Sequence, residues 1–280
     1  MHAKHFRAVG LVMGLLVLMA GVWSVEAQDA GDIPPITIAL TADGFTIPEE
    51  MPEGVVQITF ENHSEAPFGP MIVRLNEGVT LEELGAIAEG GPEAGMQAIS
   101  KGLLSLLGTV MVMPEMTVDV TFDFAPGTYV FANTASGDPS SFQPFTVVDS
   151  EGEGAAPPEA DVEVGLVDFA FNAPLAVAAG PQLWHIQNLG DQPHEMIVVP
   201  MDDAMTAGEF NQALLGSIAG EETEQVAPVI FWSMSPGEQA WITYDLEPGT
   251  YAVVCILPDV TGSGHTHAEL GMRQIFIVTE

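Results

Sequence analysis

Residues 125–133 read APGTYVFAN and residues 247–255 read EPGTYAVVC, one phrase written twice at a separation of 122 positions. Pro-Gly marks a turn, and the Thr, Tyr and Val that follow it suit a strand with a buried face. Upstream the copies stay in register at a separation of 126. Phe45, Pro48, Gly54, Asn62 and Pro67 stand where the second copy has Phe171, Pro174, Gly180, Asn188 and Pro193. Self-similarity at a long fixed period is the mark of an internal duplication. Between the copies, DSEGEGAAPPEAD (149–161) offers Gly, Pro, Ala and acid with nothing to bury, and reads as a linker. The boundaries that follow are a first domain over 33–148, an acidic Gly/Pro linker over 149–160 and a second domain over 161–280.

Each copy is rich in strand signals. ITIAL, VVQITF, VDVTFDF and YVFAN occur in the first, and VEVGLVDFAF, QLWHIQN, EMIVVP, AWITYDL, YAVVC and RQIFIV in the second. Many alternate apolar and polar residues between Gly, Pro, Asn and Asp, which predicts an all-β protein made of two tandem β-sandwiches. Helical excursions are expected over 80–88, 93–107 and 206–217. Thr80 and Thr206 serve as N-caps, and Glu83 stands at capping-box spacing from Thr80.

The N-terminus carries Lys4, His5 and Arg7 ahead of a 15-residue apolar run from Val9 to Trp23, then Val25-Glu26-Ala27. That is the layout of a signal peptide over residues 1–27, cleaved after Ala27, and it places the protein outside the cytosol: periplasmic, extracellular or at the cell surface. No later run is long enough to cross a bilayer. The chain has 39 acidic and 5 basic residues, a formal charge of −34. Such a field excludes nucleic acid as a partner and would attract a basic one, for example a cationic redox protein; it equally suits a plain solvated surface.

Exported cysteines usually pair, yet Cys255 is the single cysteine in the chain. It ends the PGTYAVVC strand and is followed by His265, His267 and Met272. Upstream, Asn188 and Pro193-His194 sit at a corner between strands. With these residues in this order, the second domain resembles the cupredoxins, the type 1 blue copper proteins of the plastocyanin, azurin and pseudoazurin group. The resemblance implies Greek-key sandwiches, one type 1 copper and the ligands His194, Cys255, His267 and Met272, the last a weak axial thioether. A soft thiolate, two imidazoles and a long thioether bond suit a metal that cycles between Cu(I) and Cu(II).

This sequence departs from the family in two places. Eleven residues separate Cys255 from His267, where compact members have only a few, and a loop of that length is expected to loosen the site. His265 competes with His267, because side chains two apart in extended chain share a side. Glu195 also follows the first histidine, where the plastocyanin-type pattern often has Asn.

The first copy lacks the set. Phe68 stands at the His194 position and Asn133 at the Cys255 position, so residues 33–148 read as a degenerate domain without copper ligands. Histidines for the further copper clusters of an oxidase are too few, which argues against an enzyme. Electron transfer is therefore the leading reading. A metal-free cupredoxin-like binding or assembly module and a copper delivery protein are the alternatives.

Overall fold

A segment that alternates apolar and polar residues becomes a strand here because one face can be buried while the other meets water. The computed structural model describes residues 35–42, 44–133, 142–149, 154–202, 205–218 and 231–280; the signal-peptide reading of residues 1–27 lies outside them. Within 35–149 the strands are β1 (Pro35–Leu40), β2 (Glu50–Pro52), β3 (Gly54–Asn62), β4 (Pro70–Leu75), β5 (Leu104–Thr109), β6 (Thr117–Phe124), β7 (Gly127–Asn133) and β8 (Gln143–Val148). Helices α1 (Leu81–Glu89) and α2 (Gly91–Ser100) lie between β4 and β5. Residues 154–280 add β9 (Val162–Val167), β10 (Ala170–Asn172), β11 (Ala176–Ala178), β12 (Gly180–Asn188), β13 (His194–Pro200), β14 (Phe231–Met234), β15 (Gln239–Leu246), β16 (Gly249–Val254) and β17 (Arg273–Thr279). Helix α3 (Ala207–Ile218) separates β13 from β14, and α4 (His267–Leu270) precedes β17.

The protein is all-β, in two layers. One layer is a seven-stranded sheet in the order β1, β3, β6, β15, β12, β9, β10. The other holds two five-stranded sheets, β2, β8, β7, β4, β5 and β11, β17, β16, β13, β14. The chain crosses between layers from β12 to β13 and again from β14 to β15, as Greek-key sandwiches do. Inward residues of the large sheet, such as Val164, Ile186 and Ile242, share one buried core with Met196, Val253 and Phe276 from the facing layer. The longer helices cover the outer faces: Leu84 and Ala98 pack with Val73 and Val130, and Phe210 with Ala252 and Val254.

Pairings in residues 35–149 recur in 154–280. β1 lies parallel to β3, and β3 antiparallel to β6; β9 lies parallel to β12, and β12 antiparallel to β15. Side-chain bonds recur as well. Asn62 Nδ2 donates to Ala66 O and Val112 O, and Asn188 Nδ2 to Gln192 O and Met234 O, all at 2.8–2.9 Å. The edges β6 and β15 meet antiparallel, and their register opposes Val120 to Ile242, positions made equivalent by the 122-residue separation. In the other layer, Ser235 N donates to Leu106 O at 2.7 Å and Leu106 N to Ser235 Oγ at 2.8 Å. Arg74 Nη2 reaches Glu238 Oε1 at 2.8 Å across the same join.

Two local expectations change. The helix expected over 93–107 ends at Ser100, because Gly102 turns the chain at φ 68° and Leu104–Thr109 becomes β5. The apolar run Leu103–Leu107 fits either state by pattern alone, and pairing with β4 decides it. VEVGLVDFAF is two strands, β9 and β10, paired antiparallel with Ala170 opposite Val167 and turning at Asp168-Phe169.

Candidate metal centre

Three elements converge at one end of the second half. β13 opens with His194 after the Pro193 corner, β16 runs out into Cys255, and α4 opens with His267. His194, Cys255 and His267 are each fully buried, and one ligating atom from each lies within 4.8 Å of the others. His194 Nδ1 is 3.0 Å from His267 Nδ1, and Cys255 Sγ is 3.3 Å from His267 Nδ1. Met272 is also fully buried. Its backbone ties it to two of the three, since Cys255 N donates to Met272 O at 3.1 Å and Met272 N donates to His267 O at 2.8 Å.

His265 is not part of the group: it is exposed and lies 3.4 Å from Glu269 Oε1. The extended run that would have put residues 265 and 267 on one side is broken at Thr266. Thr266 and Glu269 form a capping box, so the chain turns into α4 with His267 directed inward. His63 and His185 lie elsewhere, beside Glu61 and Glu163, and the His185 ring also stacks on Trp241 at 4.4 Å.

The outer nitrogens of both ligand-set rings face fixed oxygens. His194 Nε2 is 2.5 Å from Asp168 Oδ1, and a carboxylate can only accept there, so Nε2 carries the proton. His267 Nε2 is 3.3 Å from Gln192 Oε1. That oxygen also accepts from Val260 N at 2.9 Å, which fixes which way the carboxamide points and makes Nε2 of His267 the donor. Burial lowers the pKa of both rings, that of His267 to about 4 with His194 beside it adding to the effect, so both are neutral. Two Nδ1 lone pairs are then aimed at each other over 3.0 Å with a thiol alongside. A shared cation would satisfy such a set. Burial, reinforced by the Glu195 carboxylate, pushes the Cys255 thiol up to about 12, so a metal must displace its proton to bind. One thiolate and two imidazoles are a donor set that fits copper.

The long loop is pinned rather than loose. Asp259 accepts from Thr261 Oγ1, Thr261 N and Ser263 N at 2.6, 3.0 and 3.3 Å, and the Thr261 hydroxyl above all holds its carboxyl below the usual carboxylate range. Asp259 N donates to His265 O at 2.9 Å and His267 N to Leu257 O at 2.8 Å. These bonds offset the closure entropy that length alone would impose. Glu195, where the plastocyanin-type pattern often has Asn, supports the end of β16 and the start of the loop. Its backbone N lies 3.4 Å from Cys255 Sγ, and its buried carboxyl accepts from Ile256 N at 2.9 Å and from Ser233 Oγ at 3.3 Å.

In the first half, the same frame holds different chemistry. Gly69 N donates to Asn133 Oδ1 at 3.0 Å, the counterpart of Glu195 N on Cys255. Phe68, fully buried, fills the His194 position against Phe45 and Phe131, with ring centroids 5.5 and 6.3 Å away. Asp168, Phe169, Gly190 and Gln192, which no sequence pattern marks, touch the histidines or their supports.

No family model matches the chain, and no curated protein matches its sequence. Among solved structures, an auracyanin from Roseiflexus castenholzii aligns at 20% identity over 42% of this chain and 95% of its own, with a TM-score of 0.29. Auracyanin A, a blue copper protein from Chloroflexus aurantiacus, aligns at 23% identity over 41% and 98%, also at 0.29. A multicopper oxidase aligns at 16% identity over 88% of each chain, with a TM-score of 0.24.

Proposed function

We propose that the chain is an exported copper protein that carries single electrons, with one type 1 site held by His194, Cys255, His267 and Met272. The observation that carries the reading is the convergence of one buried sulfur and two imidazole Nδ1 atoms, each ring tied through its Nε2. Copper so held would pass one electron at a time between its cuprous and cupric states. The chain's own part is to exclude water, since all three side chains are fully buried, and to keep the donors nearly still. His194 and Cys255 stand at the ends of paired strands, while Met272 is bonded through its backbone to Cys255 and His267.

On the same reading, residues 161–280 are the working domain, 149–160 the linker and 33–148 a copper-free scaffold whose Phe68 and Asn133 replace two ligands. The chain is then a carrier and not an enzyme. Export follows from the sequence of residues 1–27, and the charge of −34 suits a basic redox partner. The test is to add Cu(II) to the purified chain and follow the intense visible absorption that thiolate-to-copper charge transfer gives. A band that Cys255→Ser abolishes, together with a reversible one-electron couple, supports the proposal. Tight Cu(I) binding without a reversible couple replaces it with delivery. Retention of neither oxidation state replaces it with a metal-free binding module.

A further inference from the structure

A metal-ligating imidazole works best when its other nitrogen is held by an acceptor that sets tautomer and ring orientation. His194 has such an acceptor in a place the repeat does not mark. Asp168 lies in the turn between β9 and β10, 26 residues before His194, and brings Oδ1 to 2.5 Å from His194 Nε2. Its other oxygen accepts from Asp191 N at 3.1 Å, which joins the turn to the corner that carries the histidine. The neighbouring Phe169 ring packs 4.9 Å from the His267 ring, so this one turn supports both imidazoles.

The contact needs space, and Gly190 supplies it. A Cβ at residue 190 would lie 2.4 Å from Asp168 Oδ1 and 2.6 Å from His194 Nε2, closer than a Cβ approaches any non-bonded neighbour. Gly190 is itself held in place by donating its N–H to Asn188 Oδ1 at 2.9 Å. The Asn that recurs in the repeat thus fixes the glycine, and the glycine admits the carboxylate.

We propose that Asp168 is the positioning residue of the metal centre: its carboxylate keeps the proton on His194 Nε2 and turns the Nδ1 lone pair toward Cys255 and His267, and Gly190 is the residue that allows it. The effect on copper rests on the copper reading; the effect on the tautomer does not. The first measurement is therefore metal-free. In the full chain labelled with ¹⁵N at histidine, His194 should show the Nε2–H tautomer with a slowly exchanging proton. Asp168→Asn, whose carboxamide oxygen can still accept, should keep most of that preference, while Asp168→Ala and Gly190→Ala should lose it and speed exchange. The second measurement is Cu(I) affinity, which should fall roughly 10–100-fold in Asp168→Ala and less in Asp168→Asn.

A proton on His194 Nδ1 in the unmodified chain, or a tautomer and exchange rate unchanged in Asp168→Ala, overturns the proposal. Copper affinity unchanged in a folded Asp168→Ala chain does the same. Should the unmodified chain show the expected tautomer and its dependence on Asp168 but bind no copper, the copper reading falls and the role of Asp168 stands.

Discussion

Replacing Gln192 with Leu tests how much its carboxamide, which bridges Val260 and His267, adds to the bonds that hold the eleven-residue loop. The substitution keeps side-chain bulk at a site only 6% exposed and removes an oxygen that accepts from Val260 N and His267 Nε2. Val260 is 37% exposed, so water can partly satisfy its N–H, and that loss falls near the low end, about 1 kcal/mol. His267 is fully buried, and leaving its Nε2–H without that acceptor costs nearer 2 kcal/mol. The sum, about 2–3 kcal/mol, corresponds to a fall of roughly 4–12 °C in melting temperature for a chain of this size. Urea and thermal unfolding of the metal-free chain read it directly, and Cu(I) affinity should weaken alongside. If Gln192→Leu unfolds within about 0.5 kcal/mol of the original chain, as an unremarkable surface change would, the loop is not held this way.

Three further outcomes are expected. Met272→Leu should retain copper yet raise the reduction potential, read by voltammetry, because losing a weak thioether donor disfavours the cupric state more than the cuprous one. Arg74→Met should destabilise the chain by about 1–3 kcal/mol at neutral pH, a figure reduced for partial exposure of the pair. Burial already raises the Glu238 carboxyl and Arg74 draws it back, so without Arg74 the folded-state pKa climbs further. Stability from a raised carboxyl is full below its unfolded pKa and is lost as pH rises through the folded one, so the deficit in urea unfolding should grow from mildly acid to neutral pH. Phe68→Ala should cost about 3–5 kcal/mol by opening the aromatic cluster while leaving copper binding unchanged, which titration of the folded variant checks.

Residues shared by both copies were the legible ones. The spacing that aligns Asn62 with Asn188 also aligns two matching pairs of hydrogen bonds, because the repeated Asn closes the same corner twice. The choice between His265 and His267 was readable too, from Thr266 and Glu269 at capping-box spacing, a signal applied to Thr80 and Glu83 but not there. The turn that delivers Asp168 had a clue in the first copy. There the turn dipeptide Asp43-Gly44 stands directly before the shared Phe-x₂-Pro pattern, at the point where the second copy reads as unbroken strand. Gln192 had no such clue, since a glutamine side chain four residues past an asparagine announces nothing until the loop from Ile256 to Thr266 closes over it.

The pairing of β6 with β15 sets equivalent strands antiparallel, with Val120 opposite Ile242, which is how two copies of one chain add edge to edge. Two separate molecules joined this way would come apart on dilution. Carried on a single chain, the same ladder forms by a unimolecular step at a high effective concentration, and the association cannot be titrated away. Each strand also caps the other's unpaired backbone groups, so two edges that could recruit a stranger are spent on each other.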